Sequence, residues 1–220
     1  MNARINLQPI AAPSILGLFA FAGSTLIVAA NMAGWYGNSV TALYLIPFTT
    51  VFGGIAQFAA GMWAYKARDA IATAMHGTWG SFWVGFSILQ LLMATGTIPP
   101  NTGPIFPALG FWFIALAAIT IMGTIAAIAK NLALTLVTLS MGSIFAALAN
   151  LLGGAPAAGW EVAAGYVFII SAICAWYTAS ALMFEAASGR SVLPVGTTLH
   201  AQKAPTVAPG EGEPGVAKGQ

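Results

Sequence analysis

Gln57, His76 and the hydroxyl pair Ser24 and Thr25 are polar side chains standing inside long apolar stretches of this 220-residue chain. His76 is followed at spacing three by Trp79, and Trp79 at spacing four by Trp83, so on a helix all three share a face. A histidine whose imidazole titrates near the usual value of about 6.5 could sense or relay protons. The alternative is a neutral histidine near an interface, bonded to a backbone carbonyl. Gln57 lies among Gly53, Gly54 and Gly61. An unpaired amide in hydrocarbon is costly, so Gln57 faces either another helix, as glue, or a wet pathway. Phe21, Ser24 and Thr25 also share a face, a mixed apolar and hydroxyl surface that suits a small carboxylic acid. Hydroxyls in membrane helices are also commonly bonded back to their own backbone, and that alternative stands beside it.

No enzyme constellation accompanies them. HExxH, GxSxG and a Walker loop are all absent, and no two carboxylates share an apolar stretch. The acidic residues Asp69, Glu161, Glu185, Glu211 and Glu213 fall at span ends or in the tail. Cys174 is the single cysteine, which excludes an internal disulfide and any CxxC metal or redox site. We expect no catalytic residues, no metal and no cofactor. Basic residues nowhere cluster with interleaved aromatics, so no nucleic-acid partner is expected.

The elements that position these groups are membrane helices. Apolar residues make up 59% of the chain and charged residues 5%, with mean hydropathy +0.85. A soluble domain carries roughly 25% charged residues, so this composition could not cover a water-facing surface. Residues 5–65 and 70–129 hold no Asp, Glu, Lys or Arg, each run being long enough for two helices of about 20 residues and a turn. The apolar segments are too long for barrel strands and lack their alternation. The pattern predicts an all-α membrane protein with six transmembrane helices, over 15–35, 42–65, 71–95, 108–129, 132–152 and 165–185. Pro- and Gly-rich turns, "GTIPPNTGPIFP" and "GGAPAAGW", separate the later ones. The first is read as a retained span, since it is longer than a signal-peptide core of about 7–15 residues.

Basic residues fix the orientation. Arg4, Lys66, Arg68, Lys130 and Arg190 occupy alternate gaps, while the gaps around 36–41, 95–107 and 153–160 hold no Lys or Arg. Basic loops stay cytoplasmic, so both termini are expected inside. Residues 1–13 then form a cytoplasmic segment, 14–190 the membrane domain, and 191–220, rich in Pro, Gly and Ala, a disordered cytoplasmic tail. Trp35, Tyr36, Tyr65, Trp112 and Trp160 near span ends suit the headgroup region. Thr73, Gly77, Ser81 and Gly85 on the third span, and Gly53, Gln57 and Gly61 on the second, are small-residue stripes that predict close helix packing.

Four blocks carry a family resemblance: "APSILGLFAFAGSTL", "FGGIAQFAAGMWAY", "HGTWGSFW" and "AGYVFIISAICAWYTAS" followed by "GRSVLPVG". In this order they resemble the acetate uptake transporters, also described as acetate/succinate–proton symporters, over about residues 12–196. The resemblance implies one six-helix bundle per protomer, a homo-hexamer in membrane lipid, and a substrate path through each protomer. It implies an apolar constriction to which Phe21, Trp79 and Met141 contribute, with Gln57 matching a family glutamine. The chain departs from the family at Ala12, at Ile15, and at two carboxylate positions that read Ala64 and Leu182; His76 stands where Phe is usual.

The expectation is therefore a multi-pass protein of the bacterial inner membrane that moves acetate or a related short monocarboxylate, linked to protons. Substrate donors are sought among Gln57, Ser24, Thr25 and the Trp79 indole. Two other functions remain open: a passive channel for a small neutral solute such as urea or a short amide, and a non-transporting membrane protein that recruits a partner through its tail.

Overall fold

The computed structural model describes residues 11–195 apart from 39, 100, 102 and 129–132. Arg4, Lys130, the segment before residue 11 and the tail from residue 196 onward lie outside the described residues.

The described chain is helical, with no strand among its residues. Helix α1 spans Pro13–Met32, opening on a proline whose missing N–H would be unsatisfied there anyway. A second rod, Thr41–Lys66, is built from α2 (Thr41–Phe48), a π-helical segment (Thr49–Ala56) and α3 (Gln57–Lys66). Then follow α4 (Ala70–Ala94), α5 (Pro107–Ala127), α6 (Ala133–Leu152) and α7 (Gly154–Ser188). Asp69 caps α4 by accepting a bond of 3.0 Å from the Ala72 N–H. Pro13–Met32, Thr41–Lys66, Pro107–Ala127 and Gly154–Ser188 are long and apolar enough to cross a membrane.

One expected boundary shifts, and one rod changes its winding. The last helix starts at Gly154 and not at 165, because the turn after α6 is made by Gly153 (φ 69°) and Gly154 (φ 62°) alone. Positive φ is open to glycine at little steric cost, and Pro156 then fits the first helical turn. "GGAPAAGW" is thus mostly helix. The second rod changes winding midway: Thr49 and Thr50 hydroxyls donate to the Leu45 and Ile46 carbonyls at 2.9 and 2.6 Å where the π-helical turns begin. Such turns recur at functional sites.

Six rods form a ring. α1 packs on the Thr41–Lys66 rod, that rod on α4, α5 on α6, α6 on α7, and α7 back on α1, with a sparser contact of α4 on α5 closing it. Glycines set the tightest crossings. A Cβ on Gly61 would stand 2.7 Å from the Gly77 nitrogen, and one on Gly80 would stand 2.6 Å from the Phe58 nitrogen. The packing stripe on α4 therefore runs through Gly77 and Gly80, and not onward through the predicted Ser81 and Gly85, which are exposed. Outward faces carry Phe58, Trp63, Phe111, Ile125, Ile173 and Trp176, a contiguous apolar exterior that lipid, unlike water, accommodates.

Candidate functional site

At the centre of the ring α1 and α4 run side by side, and their residues meet in successive turns. Gly17 faces the His76 ring, so closely that a Cβ there would lie 2.5 Å from the imidazole Cε1. One turn on, Phe21 meets Trp79 edge to face, with ring centroids 6.3 Å apart. Beyond this pair lie Thr25 on α1 and Trp83 on α4, both lining a cavity of about 280 Å³. The cavity draws walls from every rod, including Leu45, Thr49, Phe82, Phe113, Leu139 and Phe168. Trp79 is part of its floor. The aromatic wall is continuous: Phe82 stands 5.3 Å from Trp79, 5.2 Å from Trp83 and 5.5 Å from Phe113, centroid to centroid. A second recess of about 380 Å³ shares Gln90, Leu109, Ala149 and Asn150 with the first and reaches Asn101 and Pro104 in the α4–α5 loop.

Among the described residues four buried polar atoms have no hydrogen-bond partner: Thr25 Oγ1, Trp83 Nε1, Gln57 Oε1 and His76 Nε2. A buried polar group with no partner at all costs about 1–3 kcal/mol, so each of these atoms is a place for a ligand or a water to bond. Their placement is ordered. Thr25 and Trp83 stand on the cavity side of the Phe21–Trp79 pair. Gln57 sits between Gly53, which abuts Ser24 and Trp83, and Gly61, which abuts Gly77; that puts it level with the aromatic pair. His76 lies one turn beyond. The sequence of polarity along the axis is donor pair, apolar pinch with one amide, then imidazole.

All the polar residues expected from the sequence are buried, and Phe21 and Trp79 are in ring contact. Three expectations change. Met141 does not join the constriction: it is 44% exposed and faces outward, while Leu139, at 3%, lines the cavity. A helix turns about 100° per residue, so a register error of two reverses the face. The Trp79 indole is no free donor either, because its Nε1 donates to Thr120 Oγ1 at 3.1 Å and that hydroxyl donates to the Leu116 carbonyl at 2.7 Å. The free indole N–H belongs to Trp83. Ser24 is similarly committed, through a long bond of 3.4 Å to the Phe48 carbonyl. Glu161, placed at a span end in the sequence and given no role there, lines the cavity. No group of three His, Cys, Asp or Glu that could hold a metal occurs among the described residues.

Comparison with known proteins agrees with the resemblance read in the sequence. The model of the GPR1/FUN34/yaaH family matches residues 2–197. The succinate-acetate/proton symporter SatP of Escherichia coli (strain K12) is 28% identical over 188 residues, which cover 85% of this chain and 96% of that protein. The glyoxylate pathway regulator of Yarrowia lipolytica is 29% identical over 175 residues, covering 77% of this chain and 62% of that one. A solved structure, that of the bacterial acetate channel SatP, superposes with a TM-score of 0.76 at 25% identity, over 86% of this chain and 100% of the other.

Proposed function

The chain belongs to the GPR1/FUN34/yaaH family, and from that premise we propose that it carries acetate and related short monocarboxylates across a membrane, linked to protons, and is not an enzyme. The observation that carries this reading is the orphan pair Thr25 Oγ1 and Trp83 Nε1 in one aromatic-walled cavity. A carboxylate offers two oxygens that accept these two donors, while its methyl group packs on Phe82 and Phe113. Beyond the cavity the Phe21–Trp79 pair is buried and in edge-to-face contact. A bare anion moved into such a dry throat loses several kcal/mol of hydration. Passage as the acid, or as anion with an accompanying proton, avoids most of that loss. Gln57 supplies a hydrogen-bonding group at the pinch, and His76 an atom beyond it that holds or releases the proton.

The architecture that goes with this reading is six spans per protomer, both termini cytoplasmic, six protomers to a ring, in a bacterial inner membrane. The basic residues Lys66, Arg68 and Arg190 at one end of the bundle support the orientation. An impermeant maleimide added outside should label Thr97→Cys in intact cells, and label Ser188→Cys only after permeabilisation. Transport is tested by labelled acetate uptake into proteoliposomes at about pH 5.5 and about pH 7.5, either side of the histidine range. Uptake above empty vesicles, faster in acid, is expected; rates equal to empty vesicles at both values would reject it.

A second reading, passive flow of a neutral solute such as urea, is favoured by the apolar character of Ala64 and Leu182, where the family resemblance places carboxylates. Stopped-flow urea permeability that acetate leaves unaffected would support it against the first.

A further inference from the structure

Glu161 is the sole carboxylate at the cavity end of the bundle among the described residues. It stands on α7 at helical spacing from Gly165, whose missing Cβ lets α7 approach Ala33 of α1, and from Phe168, which lines the cavity wall. That stripe turns Glu161 toward the mouth, where it borders the same space as Asn31, Gln90 and Asn150. The neighbouring elements hold no counter-charge. α1 and α4 contribute no ionisable group on this side of the Phe21–Trp79 pair, and the described parts of α5 and α6 contribute none at all. Tyr36, Tyr44 and Tyr166 are the other titratable side chains near this end. Asn31 and Asn150 each donate one amide hydrogen to a backbone carbonyl, of Tyr36 and Ala146, at 2.8 Å. Among the described residues no hydrogen bond holds the Glu161 carboxylate, and the residue is exposed at the rim of the cavity.

From this geometry we infer that Glu161 is a specificity-determining residue, which selects the protonation state of the cargo entering the cavity. Ionised, it repels free anions at a mouth whose low-dielectric walls focus its field. Protonated, it presents an O–H to an incoming carboxylate. The mouth then holds back the free anion while Glu161 is ionised and admits it once Glu161 is protonated, whereas the neutral acid enters in either state. The inference rests on the carboxylate-transport reading and adds to it a gate by charge, ahead of the throat.

The test uses the full-length protein in vesicles, as wild type, Glu161→Gln and Glu161→Lys, with labelled acetate and with neutral, similarly shaped acetamide. At about pH 7.5, where an ordinary glutamate is ionised, acetate uptake should rise about threefold to tenfold in the Gln variant and further in the Lys variant. The Gln-to-wild-type ratio should shrink toward one at about pH 3.5, where an ordinary glutamate is largely protonated, and in roughly 0.5 M salt, where screening shortens the field. Acetamide flux should not change across the three. Equal acetate rates in all three proteins, or a change shared by acetamide, would overturn the inference while leaving carboxylate transport standing. Wild-type acetate flux no greater than that of empty vesicles would overturn both, and that outcome is read from the wild type alone.

Discussion

The hydroxyls of α5, α6 and α7 and the polar groups of α1, the second rod and α4 are buried to similar depth but used differently. On the first side they are spent at home. Thr120, Ser140, Ser143, Thr178 and Ser180 donate to the carbonyl four residues back, at 2.7–2.9 Å, and Ser171 crosses to the Thr135 carbonyl at 2.9 Å. On the second side lie all four orphaned atoms, those of Thr25, Gln57, His76 and Trp83. Burial alone therefore does not distinguish structural from functional polarity in an apolar bundle. Satisfaction does, because a hydroxyl bonded to its own helix has spent its one donor hydrogen, whereas an orphan keeps its donor for a ligand.

That division makes opposite demands of stability and flux. The largest effect is expected from removing both cavity donors: Thr25→Val with Trp83→Phe should lower acetate uptake at least about tenfold. Stability should stay level or rise by about 1–2 kcal/mol, because unpaired groups are being deleted; loss of thermal stability in proportion to flux would show that the pair is structural. Phe21→Ala should widen the throat and raise permeation of bulkier carboxylates several-fold relative to acetate, read from uptake ratios in vesicles. His76→Phe, which restores the residue usual in the family, should flatten the pH profile of uptake by about twofold to threefold if the imidazole handles the proton. An unchanged profile excludes that role. Ser171→Ala is the smallest case. It should cost about 1 kcal/mol of stability in a thermal melt and leave acetate uptake unaltered.

Much of the ring was legible in the sequence because periodicity and charge alternation act over whole helices. Phe21 with Thr25, and His76 with Trp79 and Trp83, could be placed on common faces from spacing alone. What could not be read depended on a neighbour or on a register. Which tryptophan keeps a free indole N–H is decided by Thr120 on another helix. Leu139 rather than Met141 faces inward, a two-residue difference of register that the apolar sequence around α6 does not fix. Glu161 was read only as a span-end residue because two glycines at positive φ make the whole turn before α7, lengthening that helix by about three turns. The π-helical stretch has no sequence signature beyond Pro47 and the Gly53–Gly54 pair.

The arrangement is tested at its root by a structure determined in the presence of bromoacetate, whose bromine scatters anomalously. Its carboxylate is expected within hydrogen-bonding reach, about 2.7–3.2 Å, of both Thr25 Oγ1 and Trp83 Nε1, with the bromine against Phe82 and Phe113. A carboxylate bound elsewhere, with these two donors still empty or holding only water, would contradict it.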